Sequence, residues 1–257
     1  MDFINNKKQY IPFASSAVIF IILEANGYFP KLYYYFLGAN IFILALSIWY
    51  LARGSIFYKN FLHYSILPLC LIISSSVYGI LVSDSLRGQI LDILITILNY
   101  IGLRSLYFYF EKSEIYKVYL MNNFFSYAGF LIIFFSSSAI FGLVSFLNIE
   151  IWPLLFLLTF VIALVLFQYY LIYDIDRKRS FPFILLASLS LLEISWAVSF
   201  LPLNYTVAGL TISVFYYMAS GLTKYFMQGN LNKGIIKFYL LFGSISIFIL
   251  LLTSRWQ

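Results

Sequence analysis

Apolar runs of roughly 20 residues recur from Ile11 almost to the C-terminus, and that is the length a helix needs to cross the hydrocarbon core of a bilayer. Only 10% of the 257 residues are charged and 63% are hydrophobic, so there is no room for a sizeable soluble domain. The runs are too long and too uniform for barrel strands. Open strands cannot span lipid, because each unpaired backbone group there costs several kcal/mol. The sequence therefore predicts an all-α polytopic transmembrane bundle of about nine spans in one membrane domain, residues 1–257. The spans are read at 11–29, 32–51, 61–82, 89–110, 121–147, 151–173, 181–201, 204–226 and 235–253. The first follows Lys7-Lys8 but is long, carries Glu24 and lacks a small-x-small cleavage pattern, so it is read as a span and not a signal peptide. Tyr33-Tyr34-Tyr35 and Tyr169-Tyr170 lie near span ends, where an amphipathic ring suits the interface.

The Lys and Arg residues set the expected orientation. With nine spans, one side collects Lys7, Lys8, Arg53, Lys59, Arg104, Lys112, Lys117, Arg177, Lys178, Arg179, Lys224, Lys233 and Lys237. The other side holds only Lys31, Arg87 and Arg255. This bias predicts a multi-pass protein of the cell membrane with a cytoplasmic N-terminus and an extracytoplasmic C-terminus. It also accounts for the net charge of +6, supplemented by attraction to anionic headgroups. No loop combines a long basic run with interleaved aromatics, so no nucleic-acid partner is expected.

Two regions share an ordered set of landmarks. The first reads Pro12-Phe13, Leu23-Glu24, Pro30, Tyr33, Gly38 and Arg53; the second reads Pro182-Phe183, Leu192-Glu193, Pro202, Tyr205, Gly209 and Lys224. The offsets stay within a few residues of one another. They predict a parallel three-helix repeat, residues 10–83 and 181–254, with linking spans in 84–173. Many transporters are built from such repeats, with the binding site at the repeat interface.

Glu24 and Glu193 lie inside spans, about 9 and 13 Å before a proline at the expected outer end, at 1.5 Å per residue. A carboxyl group at that depth is expensive and normally faces the bundle interior or a watery cavity. Asp92 lies near the outer end of its span, and Asn26, Asn40 and Asn204 have similar depth. The ligand-binding candidates are therefore Glu193, Glu24, Asp92, Asn40 and Asn204, outlining a polar cavity open to the outside. The bland alternative is that each acid only bonds neighbouring polar groups and pins the packing.

Other constellations are weaker. Asp174-Ile175-Asp176 could hold Mg²⁺ for diphosphate chemistry, as in membrane prenyltransferases, but those enzymes need a second acidic loop, and Arg53–Lys59 has no acid. A solvated loop beside the basic cluster Arg177-Lys178-Arg179 is the reading adopted. His63 is the only histidine, which excludes a His-rich metal site. Cys70 stands alone and has no intramolecular disulfide partner. Ser74–Ser76, Ser136–Ser138, Gly79, Gly142, Gly209, Ala219 and Gly221 read as small residues for close helix packing. Pro68 should kink its helix. No cofactor is expected. The expected partners are the lipid bilayer and either a small solute or other membrane proteins. The leading expectation is binding or transport of a small or lipid-like solute. A non-catalytic scaffold or assembly subunit is the alternative. A membrane-embedded enzyme ranks below both, for want of a metal or nucleophile constellation.

Overall fold

The computed structural model describes the backbone of residues 8–53, 61–82, 85–111, 114–173 and 175–254, and within them all side chains except those of residues 61–62, 85 and 114–123. Lys7, Lys59, Lys112, Asp174 and Arg255, and the side chain of Lys117, lie outside the described residues. Nine helices are long and apolar enough to cross a membrane, and no strand occurs among the described residues. They are α1 (Ile11–Tyr28), α2 (Tyr33–Ala52), α3 (Phe61–Leu81), α4 (Ser85–Glu111), α5 (Glu114–Leu147), α6 (Ile151–Ile172), α7 (Arg177–Ser199), α8 (Tyr205–Met227) and α9 (Lys233–Thr253). The all-α, nine-span expectation holds, and this chain is a multi-span membrane protein.

Helix starts differ from the apolar runs where a helix has no reason to stop at the hydrocarbon edge. α7 begins at Arg177, so the basic cluster expected in a loop forms the first helical turn instead. Positive charge at a helix N-terminus opposes the macrodipole, so helix stability does not explain its place there. Pro12 sits in the first turn of α1, where its missing N–H leaves no helical bond unmade. Pro68 and Pro182 lie inside α3 and α7. A 3₁₀ turn, Pro30–Leu32, joins α1 to α2.

The chain forms two compact units, Met1–Ala128 and Gly129–Gln257, and α5 contributes to both. In the first unit α1 packs on α2 and α4, and α2 on α3. Small polar groups make the close contacts: the hydroxyls of Ser15 on α1 and Ser47 on α2 are hydrogen-bonded at 2.7 Å. Gly102 on α4 leaves room for the Phe124 ring, which a Cβ would meet at 2.7 Å.

In the second unit α6 packs on α7, α7 on α8 and α8 on α9. Gly209 on α8 lies against the backbone of Ser138 on α5, and the Ser137 hydroxyl donates to the Gly209 carbonyl at 3.1 Å. Gly221 on α8 accommodates Tyr239 on α9, and Gly243 on α9 accommodates Met218. Such small-residue contacts are how helices associate where lipid removes the hydrophobic driving force. Outward-facing Ile21, Phe42, Ile97, Phe160, Leu241 and Phe248 are exposed. On a soluble protein they would be a liability; here they are the lipid boundary.

Candidate functional site

One end of the first unit is tied shut. Lys8, three residues before α1, is buried; its Nζ donates to Glu111 Oε1 on α4 at 2.6 Å and to the Arg53 carbonyl at the end of α2 at 2.8 Å. A buried ammonium needs such partners, because leaving it unpaired in a low dielectric is costly. The clasp fastens three helix ends that the charge distribution had placed on one side.

The other end is open. Where α1 ends, α2 begins, α3 ends and α4 begins, the helices leave a cleft of about 680 Å³. Its lining follows helical spacing. Gly88, Leu91, Asp92 and Ile95 form one face of α4, and Ser75, Ser76 and Gly79 one face of α3. Leu23, Glu24, Asn26 and Gly27 come from α1, and Tyr33 and Tyr34 open α2. Glu24 and Asp92 therefore line one cavity. Neither makes an ion pair among the described residues. Asn26 Oδ1 and the Tyr33 hydroxyl are buried there without a hydrogen-bond partner.

The remaining candidates lie elsewhere. Asn40 is 2% exposed on α2 and does not line the cleft; its Oδ1 is unpartnered. Asn204 caps α8, its Oδ1 accepting from the Thr206 N–H at 3.1 Å, an ordinary structural role. Glu193 is exposed on α7. It sits about 200° around the helix from both Leu191 and Ser195, which belong to the buried seam. Its neighbours along the same stripe, Leu186, Leu189, Trp196 and Phe200, are exposed as well.

The second unit has a smaller groove of about 310 Å³ between the ends of α5 and α7 and the starts of α6 and α8. Phe141, Val144, Ile151, Val198 and Leu203 line it, with no acid among the described residues. In the same unit the Lys224 ammonium lies 4.4 Å from the Tyr173 ring centroid and 4.6 Å from that of Tyr225, a cation–π arrangement at the end of α8.

Sequence reasoning found both acids of the cleft but read Tyr33-Tyr34 as interfacial and Ser74–Ser76 as packing residues. Gly88, Gln89 and Tyr28 went unnoticed, since only the convergence of four helix ends brings them together. The Lys8–Glu111 pair was also missed, because its partners are 103 residues apart. Among the described residues no three His, Cys, Asp or Glu side chains gather as a metal site would require. Comparison with protein-family models, curated proteins and solved structures produced no match.

Proposed function

We propose that this membrane protein binds a small solute in the cleft of its first unit, which opens to the outside, as a receptor or transporter would. The observation that carries the reading is that Glu24 and Asp92, two carboxyl groups inside membrane spans, line one cavity. Acids at such depth normally face a watery or ligand-filled space. The volume falls within the ~300–1,000 Å³ of small-molecule sites. The Lys8–Glu111 clasp seals the opposite end, the side that the Lys and Arg distribution assigns to the cytoplasm.

Thiol accessibility tests this. In a Cys70→Ala background, Gly88→Cys adds a side chain where nothing lies within 4 Å. A membrane-impermeant trimethylammonium methanethiosulfonate should label it in intact cells. The sulfonate-bearing analogue should react about tenfold or more slowly, since a cleft lined by one sign of charge concentrates the opposite sign. Labelling only after permeabilisation, or none, refutes the outward cleft.

A second reading has its own observation. Glu193 lies within an exposed apolar stripe of α7, where an acid facing lipid would be costly. That stripe fits an assembly face covered by another membrane protein's helix. Crosslinking from a photoreactive group at Leu189 in cells should then capture a protein; capture of lipid alone refutes it.

A further inference from the structure

We propose that the ligand of the Glu24–Asp92 cleft is an organic ammonium ion, an amine or quaternary ammonium head on a body of several carbons. The inference rests on the cleft reading above and adds the chemical class.

Charge comes first. Among the described residues, Glu24 and Asp92 are the acids of the lining, and no Lys or Arg lines it. Lys31 and Arg87 lie next to lining residues in sequence but outside the lining itself. The one ion pair among the described residues, Lys8–Glu111, is at the far end of α1. Among the described residues the cleft thus presents negative charge without an internal counter-charge.

The uncharged groups agree. Asn26 Oδ1 is a buried acceptor with no donor, and the Tyr33 hydroxyl oxygen is likewise unpartnered. Tyr28, Tyr33 and Tyr34 contribute rings to the wall, and Tyr33 and Tyr34 meet edge to face at 5.6 Å between centroids. Tyrosine faces attract a cation within about 6 Å of the ring centre, and pairing such rings with carboxylates is how quaternary ammonium groups are recognised.

Size separates an organic cation from a metal ion. A divalent ion takes about six to eight oxygens at roughly 2.0–2.6 Å. Here two carboxylates face about 680 Å³ of space, and no third acid, His or Cys joins them among the described residues. The space suits a molecule with a hydrophobic body against Leu23, Ile80, Leu91 and Ile95.

The experiment reads protection of Gly88→Cys, in the Cys70→Ala protein reconstituted in neutral-lipid nanodiscs, against an uncharged maleimide. Choline and benzyltrimethylammonium at millimolar concentration should slow labelling several-fold. The neutral isostere of choline, 3,3-dimethyl-1-butanol, should not. The Glu24→Gln/Asp92→Asn double variant should label at the unliganded rate in every condition, a rate that also reports its intact fold. Equal protection by the neutral isostere, protection that survives the double variant, protection by Mg²⁺ or Ca²⁺ alone, or no protection by either ammonium would each overturn the inference. Absence of labelling in the ligand-free protein would instead strike down the cleft.

Discussion

Two landmark pairs, Glu24 with Glu193 and Gly38 with Gly209, stand in the same order in the two units and meet opposite environments. In the first unit the glutamate lines a cleft and the glycine has nothing within 4 Å of a would-be Cβ. In the second unit the glutamate is exposed and the glycine is pressed against Ser138, whose backbone nitrogen a Cβ would meet at 2.7 Å. Similar local sequence does not decide what a residue faces; rotation of the helix relative to its buried seam does. Glu24 stands one residue from the buried Leu23, about 100° around the helix, whereas Glu193 lies nearly opposite its seam. Within the units α1 packs on α2 and α2 on α3, and α7 packs on α8 and α8 on α9. Their chemistry differs, with an acidic cleft in one and an apolar groove in the other.

The contrast can be broken most forcefully at an acid that is embedded against one that is not. Glu111→Gln leaves the buried Lys8 ammonium without its counter-charge and should destabilise the protein by about 3 kcal/mol. Glu193→Leu should leave stability unchanged within about 0.5 kcal/mol, or raise it. Denaturant unfolding in detergent micelles compares them, and an equal loss from both would remove the distinction. The glycines come next. Gly209→Ala should cost about 1–3 kcal/mol, because the obstacle is backbone and cannot swing away. Gly38→Ala should stabilise by up to about 1 kcal/mol through helix propensity. If Gly38→Ala proves the more damaging, α2 meets a neighbour at that position after all.

Smaller effects sharpen the picture. Glu24→Gln should cut the preference of Gly88→Cys for the cationic over the anionic reagent several-fold, and Glu193→Gln should leave it untouched. A change on Glu193→Gln would tie that residue to the cleft. Ser47→Ala removes the Ser15–Ser47 bond and should lower stability by about 0.6 kcal/mol, typical of interhelical hydrogen bonds in membranes. A loss several times larger would mean that this contact sets the α1–α2 geometry.

The apolar runs made the number of helices legible, since bilayer thickness fixes span length and the runs are bounded by charge or, between α7 and α8, by Pro202 and Asn204. Boundaries were less legible. α7 starts at Arg177, four residues before the apolar run, because a helix continues into the headgroup region without penalty. The acids of the cleft were legible as costly residues, but the rotation that sends Glu24 inward and Glu193 outward was not. It depends on which side of α7 presents Ala187, Ser188, Leu191 and Ser195 to its neighbours, and serines punctuate both faces of these helices. Asn204 was legible as polar, yet a residue just before a helix reads equally as a cap and as a ligand.

The Lys8–Glu111 clasp bears on biogenesis. Its partners are 103 residues apart, so the lysine emerges from the ribosome long before its carboxylate exists. At about 5–20 residues per second, the wait is roughly 5–20 s. Throughout that interval the ammonium must stay in contact with water or headgroups, holding the first helix in register while three more are threaded. Closure of the pair then marks the moment at which the first half of the chain is wholly inserted.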